Sequence, residues 1–206
     1  MFVHCTDVQQ MTGLPISRPG ERPCPGSTAY AAGVTEPPPP FPEPRARTGD
    51  AAELFALYLD WYRATVLHKV SVLGEEERRT TRLPSGWTPL EMLTHLAHME
   101  RRWIVWGFLG EDVAEPWGDA VDGRWHVPEE VTFDDLAAML REVGGRTTAV
   151  LTSGTPLDRQ APPGPRFGDS EPATLGWICF HVLQEYARHA GHLDVAVELA
   201  GGPTGE

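Results

Sequence analysis

His181, Glu185, His189 and His192 fall within a span of twelve residues. At about 100° per residue, with Glu185 taken as zero, His181, His189 and His192 lie at about −40°, +40° and −20°. All four therefore share one stripe of a helix. Glu185 and His189 are four apart, so an oxygen and a nitrogen donor stand one turn from each other. A helix uses that spacing to offer two ligands to one metal ion. Ile178, Val182, Leu193 and Val197 lie at about +20° to +120°, which puts the polar stripe at the border of an apolar face. Ionisable groups at the inner edge of a bundle are costly unless they are paired or bound to something. The alternative is a solvated face with histidines there by chance.

A third ligand can come from an earlier segment, where His95 and His98 compete. With His95 at zero, Trp106, Met99, Met92, Trp103 and Leu96 lie at about +20° to +100°, whereas His98 lies at about −60°, beside Glu91 and Arg102. His95 is expected to face inward, and His98 to sit at the rim or in solvent. His68 falls on the apolar stripe of the first helix and reads as a core histidine. His4 and His126 lie in connections. Two histidines and a glutamate leave coordination positions open, the arrangement of a catalytic site that can acidify a bound water or thiol or polarise a carbonyl. Zinc, nickel, manganese and iron(II) would all accept the set, so the ligands alone do not fix the ion, zinc being the first expectation.

Other chemistry is missing from the sequence. Gly144-Gly145 and Gly201-Gly202 lack the frame of a phosphate-binding loop, and no G-x-S-x-G elbow occurs. Cys179, at about +120° on the last helix, reads as a small buried hydrophobe and not as a nucleophile.

Four long helices must position these groups. Asp50 caps the first, which carries Leu54, Leu57, Trp61, Thr65, His68 and Val72 at helical spacing and stops near Leu73-Gly74. Glu75 to Arg82 reads as a short charged helix or loop. Thr88, Pro89 and Glu91 start the second helix, which runs to about Leu109-Gly110. A long connection over 111–131 follows. The third helix runs from the Thr132 cap to about Leu151, weakened by Gly144-Gly145. After a Pro/Gly-rich stretch over 153–172, the fourth starts near Pro172 and ends at Gly201-Gly202. No alternating strand pattern of useful length appears. The expected fold is all-α, a four-helix bundle with a long crossover connection, and not a simple up-down-up-down one.

The bundle occupies 50–202 of the 206 residues. Ten of the 20 prolines precede residue 45, and residues 1–49 read as a disordered Pro/Gly-rich tail with polyproline II character near 36–44. Cys5 and Cys24 in it carry no signal. With 17 Lys and Arg against 29 Asp and Glu, the net charge is −12. That excludes a basic nucleic-acid-binding face and a polybasic membrane anchor. No apolar run reaches the roughly 18 residues of a spanning helix. Three cysteines without C-x-x-C spacing exclude a disulfide framework and a cysteine-only zinc site. A cytoplasmic setting fits that usage.

The segment from Gly86 to Trp103, including Trp87-Thr88-Pro89-Leu90 and Thr94-His95-Leu96-Ala97-His98, resembles the second-helix signature of the DinB-like superfamily, and within it the mini-circle protein branch. The segment from His181 to His192 resembles the fourth-helix motif of that branch. The resemblance covers roughly residues 50–202. It implies a four-helix bundle whose metal is held by one histidine on helix two and two residues four apart on helix four. In this chain those positions are His95, Glu185 and His189. Many superfamily members have histidine where Glu185 stands; the glutamate version is similar to mycothiol-dependent maleylpyruvate isomerase. The resemblance therefore implies a mycothiol-type thiol as cosubstrate and a transferase or isomerase activity.

Three functions compete. In the first, a metal-dependent S-transferase, the partners are a small-molecule electrophile and a low-molecular-weight thiol, with His192 and His181 supporting the ligands or handling protons. The second is a metal-dependent hydrolase. The third is a non-catalytic bundle that senses or sequesters a metal or ligand, with Trp87, Trp103 and Trp106 lining a pocket. A homodimer is compatible with each.

Overall fold

A computed structural model of the protein describes residues 49–203. The expected tail over 1–49 concerns residues that lie, but for Gly49, outside the described ones. Helix α1 (Ala51–Ser71) starts where the Asp50 carboxylate accepts from the Ala52 amide at 2.9 Å. The short charged segment forms α2 (Glu75–Arg78). Helix α3 (Pro89–Arg101) opens on a complete capping box. Thr88 Oγ accepts from the Glu91 amide at 3.1 Å and the Glu91 carboxylate from the Thr88 amide at 2.9 Å. Thr132 and Asp135 repeat that device at the start of α4 (Phe133–Thr152). Helix α5 (Leu175–Leu199) starts at the Thr174 cap, three residues later than the sequence suggested, and ends two residues earlier.

The helices α1 and α3 each pack against both α4 and α5 and face each other across the diagonal. Helices consecutive in sequence are therefore not all neighbours, as expected of a bundle with a long crossover. Leu59, Val66, Leu93, Leu96, Leu140, Ile178, Val182 and Leu193 fill the space between them. No described helix is long and apolar enough to cross a membrane.

Three features depart from the helical reading. First, the second predicted helix does not stay α-helical to Leu109. From Arg102 to Phe108 it widens into a π-helix, with the Leu109 amide donating to the Ile104 carbonyl at 2.8 Å. Second, the connection over 111–131 contains a small antiparallel hairpin, β1 (Ala120–Val121) and β2 (Arg124–Trp125). Asp122 and Gly123 form its turn with φ of 49° and 74°; Asp-Gly is the residue pair such a turn favours. Third, α4 runs unbroken through Gly144, which has a packing role the sequence did not show. The glycine makes room: a Cβ there would stand 2.6 Å from Cδ of Arg63. Across that gap Arg63 reaches the fully buried Glu100 of α3, with Nε at 3.0 Å from Oε2 and Nη2 at 2.5 Å from Oε1. Thr147 and Tyr186 also donate to Glu100, at 2.5 and 2.6 Å. One carboxylate thus ties all four helices together.

Candidate metal centre

The capping box sets the phase of α3 and turns His95 into the bundle, where it is buried. Its Nδ1 lies 3.1 Å from Asp119 Oδ2. Asp119 comes from the loop just before β1, is fully buried, and accepts from both terminal nitrogens of Arg102 at 2.6 and 3.0 Å. The hairpin fixes that loop, since the His126 amide donates to the Asp119 carbonyl at 2.9 Å. Burial by itself would raise the Asp119 pKa. The hydrogen bonds from His95 and Arg102, with the Arg102 charge, outweigh it and hold the carboxyl below its usual range. Asp119 is thus an anion, and it accepts from His95 Nδ1–H.

Helix α5 presents Glu185 and the buried His189 one turn apart, with His189 Nε2 at 3.3 Å from Glu185 Oε2. His95 Nε2 approaches the same oxygen at 3.5 Å. One ligand atom from each of the three residues lies within 4.8 Å of the others. His189 Nδ1 lies 3.3 Å from Nδ1 of His192. Burial foremost, then the adjacent His95, pulls the His189 pKa down to about 4, against the opposing pull of Glu185. His189 is therefore neutral at neutral pH. Its Nε2 points at Glu185 Oε2, as does that of His95.

Two imidazole nitrogens converge on one carboxylate oxygen, and these are donor types that a divalent cation accepts. Donors about 2.0–2.1 Å from a tetrahedral zinc ion stand about 3.3 Å apart, close to the two separations seen here. The donor types and spacing therefore fit a divalent metal.

Two aromatic rings wall this centre. Trp87 stacks on His189 with ring centroids 5.2 Å apart, and Trp125 of β2 lies 3.9 Å from His95. Trp87 and Trp125 meet edge to face at 5.7 Å. Trp87, Trp103 and Trp106 do not form the single cluster suggested by the sequence: Trp103 instead packs with Trp177 and His181, at 5.2 and 4.7 Å. His192 is in place to orient His189. His181, stacked on Trp177 at 5.4 Å, stands among aromatic rings, outside the three-residue set. His98 is likewise outside the set; it is half-buried, and its Nδ1 is buried without a hydrogen-bond partner. His68 is half-buried on α1. Cys179 is fully buried, and burial pushes its thiol up to about 12.

Asp119, Arg102 and Trp125 escaped the sequence reading. The Asp122-Gly123 turn was a legible sign that the connection folds back on itself. Nothing local marked Asp119 as the partner of a histidine 24 residues earlier.

A bundle of four packed helices, with a His/Glu/His donor set drawn from its second and fourth long helices, defines a DinB-like protein. More narrowly, the mycothiol-S-transferase profile matches residues 54–202, and the chain belongs to that family. No curated protein and no solved structure gives a significant match.

Proposed function

We propose that the chain is a metal-dependent mycothiol S-transferase in which His95, Glu185 and His189 hold the ion. The observation that carries the reading is the convergence of His95 Nε2 and His189 Nε2 on one glutamate oxygen, at 3.5 and 3.3 Å. Family membership supplies the thiol. A divalent ion, zinc in our reading, supplies Lewis acidity that stabilises a thiolate near neutral pH.

The chain's own residues prepare the site for this. Asp119, itself clamped by Arg102, accepts from His95 Nδ1–H and orients the ring with Nε2 toward Glu185. His192 Nδ1 lies against His189 Nδ1 and orients that ring likewise. Glu185 would hold the ion together with the two histidines, and its negative charge would limit the net charge of the centre and so moderate the Lewis acidity offered to a thiol. Trp87 and Trp125 exclude water from one side and so strengthen the electrostatics inside. His181 lies one turn before Glu185, and its pKa is lowered, by burial first. It is neutral at neutral pH and available to accept the thiol proton. The thiol requires a reducing compartment, in keeping with the cytoplasm.

The test is conjugation of mycothiol to a panel of electrophiles by the protein as purified, after chelation, and after zinc is restored. Thiol-dependent turnover that disappears on chelation and returns with zinc supports the reading. Turnover without thiol would favour a hydrolase, and metal binding without turnover of any substrate would favour the sensor.

A further inference from the structure

The connection between α4 and α5 is tied at its base, with the Ala161 amide donating to the Ala173 carbonyl and the Leu175 amide to the Arg159 carbonyl, both at 2.9 Å. It carries Arg166 onto the ring face of Trp103, with the guanidinium carbon 3.8 Å from the centroid. The other buried or half-buried arginines among the described residues all donate to a protein acceptor. Arg63 bonds Glu100 and Asp60, and Arg102 bonds Asp119. Arg78 and Arg101 bond backbone carbonyls, Arg79 bonds Glu75 and Arg146 bonds Glu111. Arg166 donates to none of them, and its Nε is buried without a partner. In a chain with 29 acidic residues against 17 basic ones, an unpaired, partly buried cation is conspicuous. Its surroundings add to the imbalance, since burial, and then the Arg102 charge, lower its pKa.

The position is built and it adjoins the metal centre. The π-helix brings Gly107 under the Arg166 stem, where a Cβ would stand 3.4 Å from Arg166 Cγ and 3.2 Å from the Arg102 carbonyl. Beyond Trp103 the rings continue through His181, one turn from Glu185. A flat guanidinium with free donors, backed by an indole, matches a carboxylate through two parallel hydrogen bonds.

We propose that Arg166 binds a carboxylate on the electrophile, so that the cosubstrate is an anionic molecule whose reactive carbon reaches past His181 to the metal centre. This rests on the transferase reading above and adds to it the class of electrophile. Arg166 then sets specificity, while Trp103 and Trp177 flank the body of the molecule.

A matched pair of electrophiles tests it: 4-(chloromethyl)benzoate and 4-(chloromethyl)benzamide. In both, the mycothiol sulfur forms a bond to the benzylic carbon, the carbon–chlorine bond breaks, chloride leaves with the electron pair, and the thiol proton passes to buffer. The zinc-loaded protein should prefer the benzoate about 10- to 100-fold in kcat/KM, the range expected for hydrogen bonds to a charged group. Arg166→Gln should remove the preference by raising KM for the benzoate alone; Arg166→Lys should keep part of it. Equal loss for both substrates in Arg166→Gln, or no preference in the wild type, overturns the proposal. Calorimetric binding of unreactive 4-methylbenzoate against 4-methylbenzamide reads the same discrimination without turnover. If the benzoate binds through Arg166 and no electrophile is conjugated, the transferase reading fails while the anion site stands. If conjugation proceeds with no role for Arg166, only this inference fails.

Discussion

The bundle holds one fully buried glutamate and one half-buried glutamate in opposite electrostatic situations. Glu100 is fully buried and receives donors from Arg63, Thr147 and Tyr186 on its two oxygens. Glu185 is partly open and faces Nε2 of His95 and Nε2 of His189 at one oxygen. The first centre is complete within the chain and holds four helices in register. The second gathers three metal-ligand atoms within 4.8 Å of one another. A carboxylate met by fixed donors on both oxygens is a structural element; one that shares its space with two imidazole nitrogens is a candidate binding site. That distinction is physical and independent of any relative.

Breaking the first centre should give the largest effect. Arg63→Met leaves Glu100 buried with its charge unpaired, and loss of one partner of a buried pair costs roughly 3–5 kcal/mol. Chemical denaturation of the metal-free protein should show a loss of that size. Glu185→Gln in the same assay should change stability by no more than about 0.5 kcal/mol, the range of substitutions away from core features. Equal losses would erase the contrast between the two glutamates.

A smaller effect is expected at Asp119. Asp119→Asn keeps the shape but removes the anion that fixes His95, and metal affinity measured by chelator competition should fall about 10- to 100-fold. The same residue gives a pH signature. Its folded pKa lies below the ordinary value, so its stabilising contribution is present above about 3.9 and lost as the pH falls through the lower folded value. Wild type should therefore lose stability below pH 4 more steeply than Asp119→Asn.

The helix phases were legible because they are local. A 3.6-residue period separates His95 from His98 and lines up Glu185 with His189, and Thr88 and Thr132 announce their helices with capping boxes. The core follows from those phases, and so does the stripe that holds the candidate ligands His95, Glu185 and His189. Asp119, Arg166 and the Arg63–Glu100 pair were not legible. Each depends on which segments meet in space, and Asp119 and Arg166 sit in loops with no period to read. The π-helix had only Gly107 as its sign, and Gly144, read as a weakness, proved to be the gap through which Arg63 passes.

The smallest effects are expected at sites that belong to neither centre. In a Cys5→Ser/Cys24→Ser variant, native Cys179 should resist alkylation by iodoacetamide at pH 8, since its thiol is buried and pushed up to about 12. Modification at a free-thiol rate would restore it as a candidate nucleophile. Removal of residues 1–49, which retains the Asp50 cap, should leave the thermal midpoint and metal content unchanged; a loss of either would mean that this segment contributes to the bundle.

Metal stoichiometry tests the central claim most directly. Wild type, His98→Ala, His95→Ala and Glu185→Gln are loaded with zinc, dialysed against a weak chelator and measured by elemental analysis. The account predicts one ion per chain in wild type and His98→Ala and a large loss in the other two, with binding restored in Glu185→His. Equal zinc in wild type and Glu185→Gln, or equal loss in His95→Ala and His98→Ala, would contradict it.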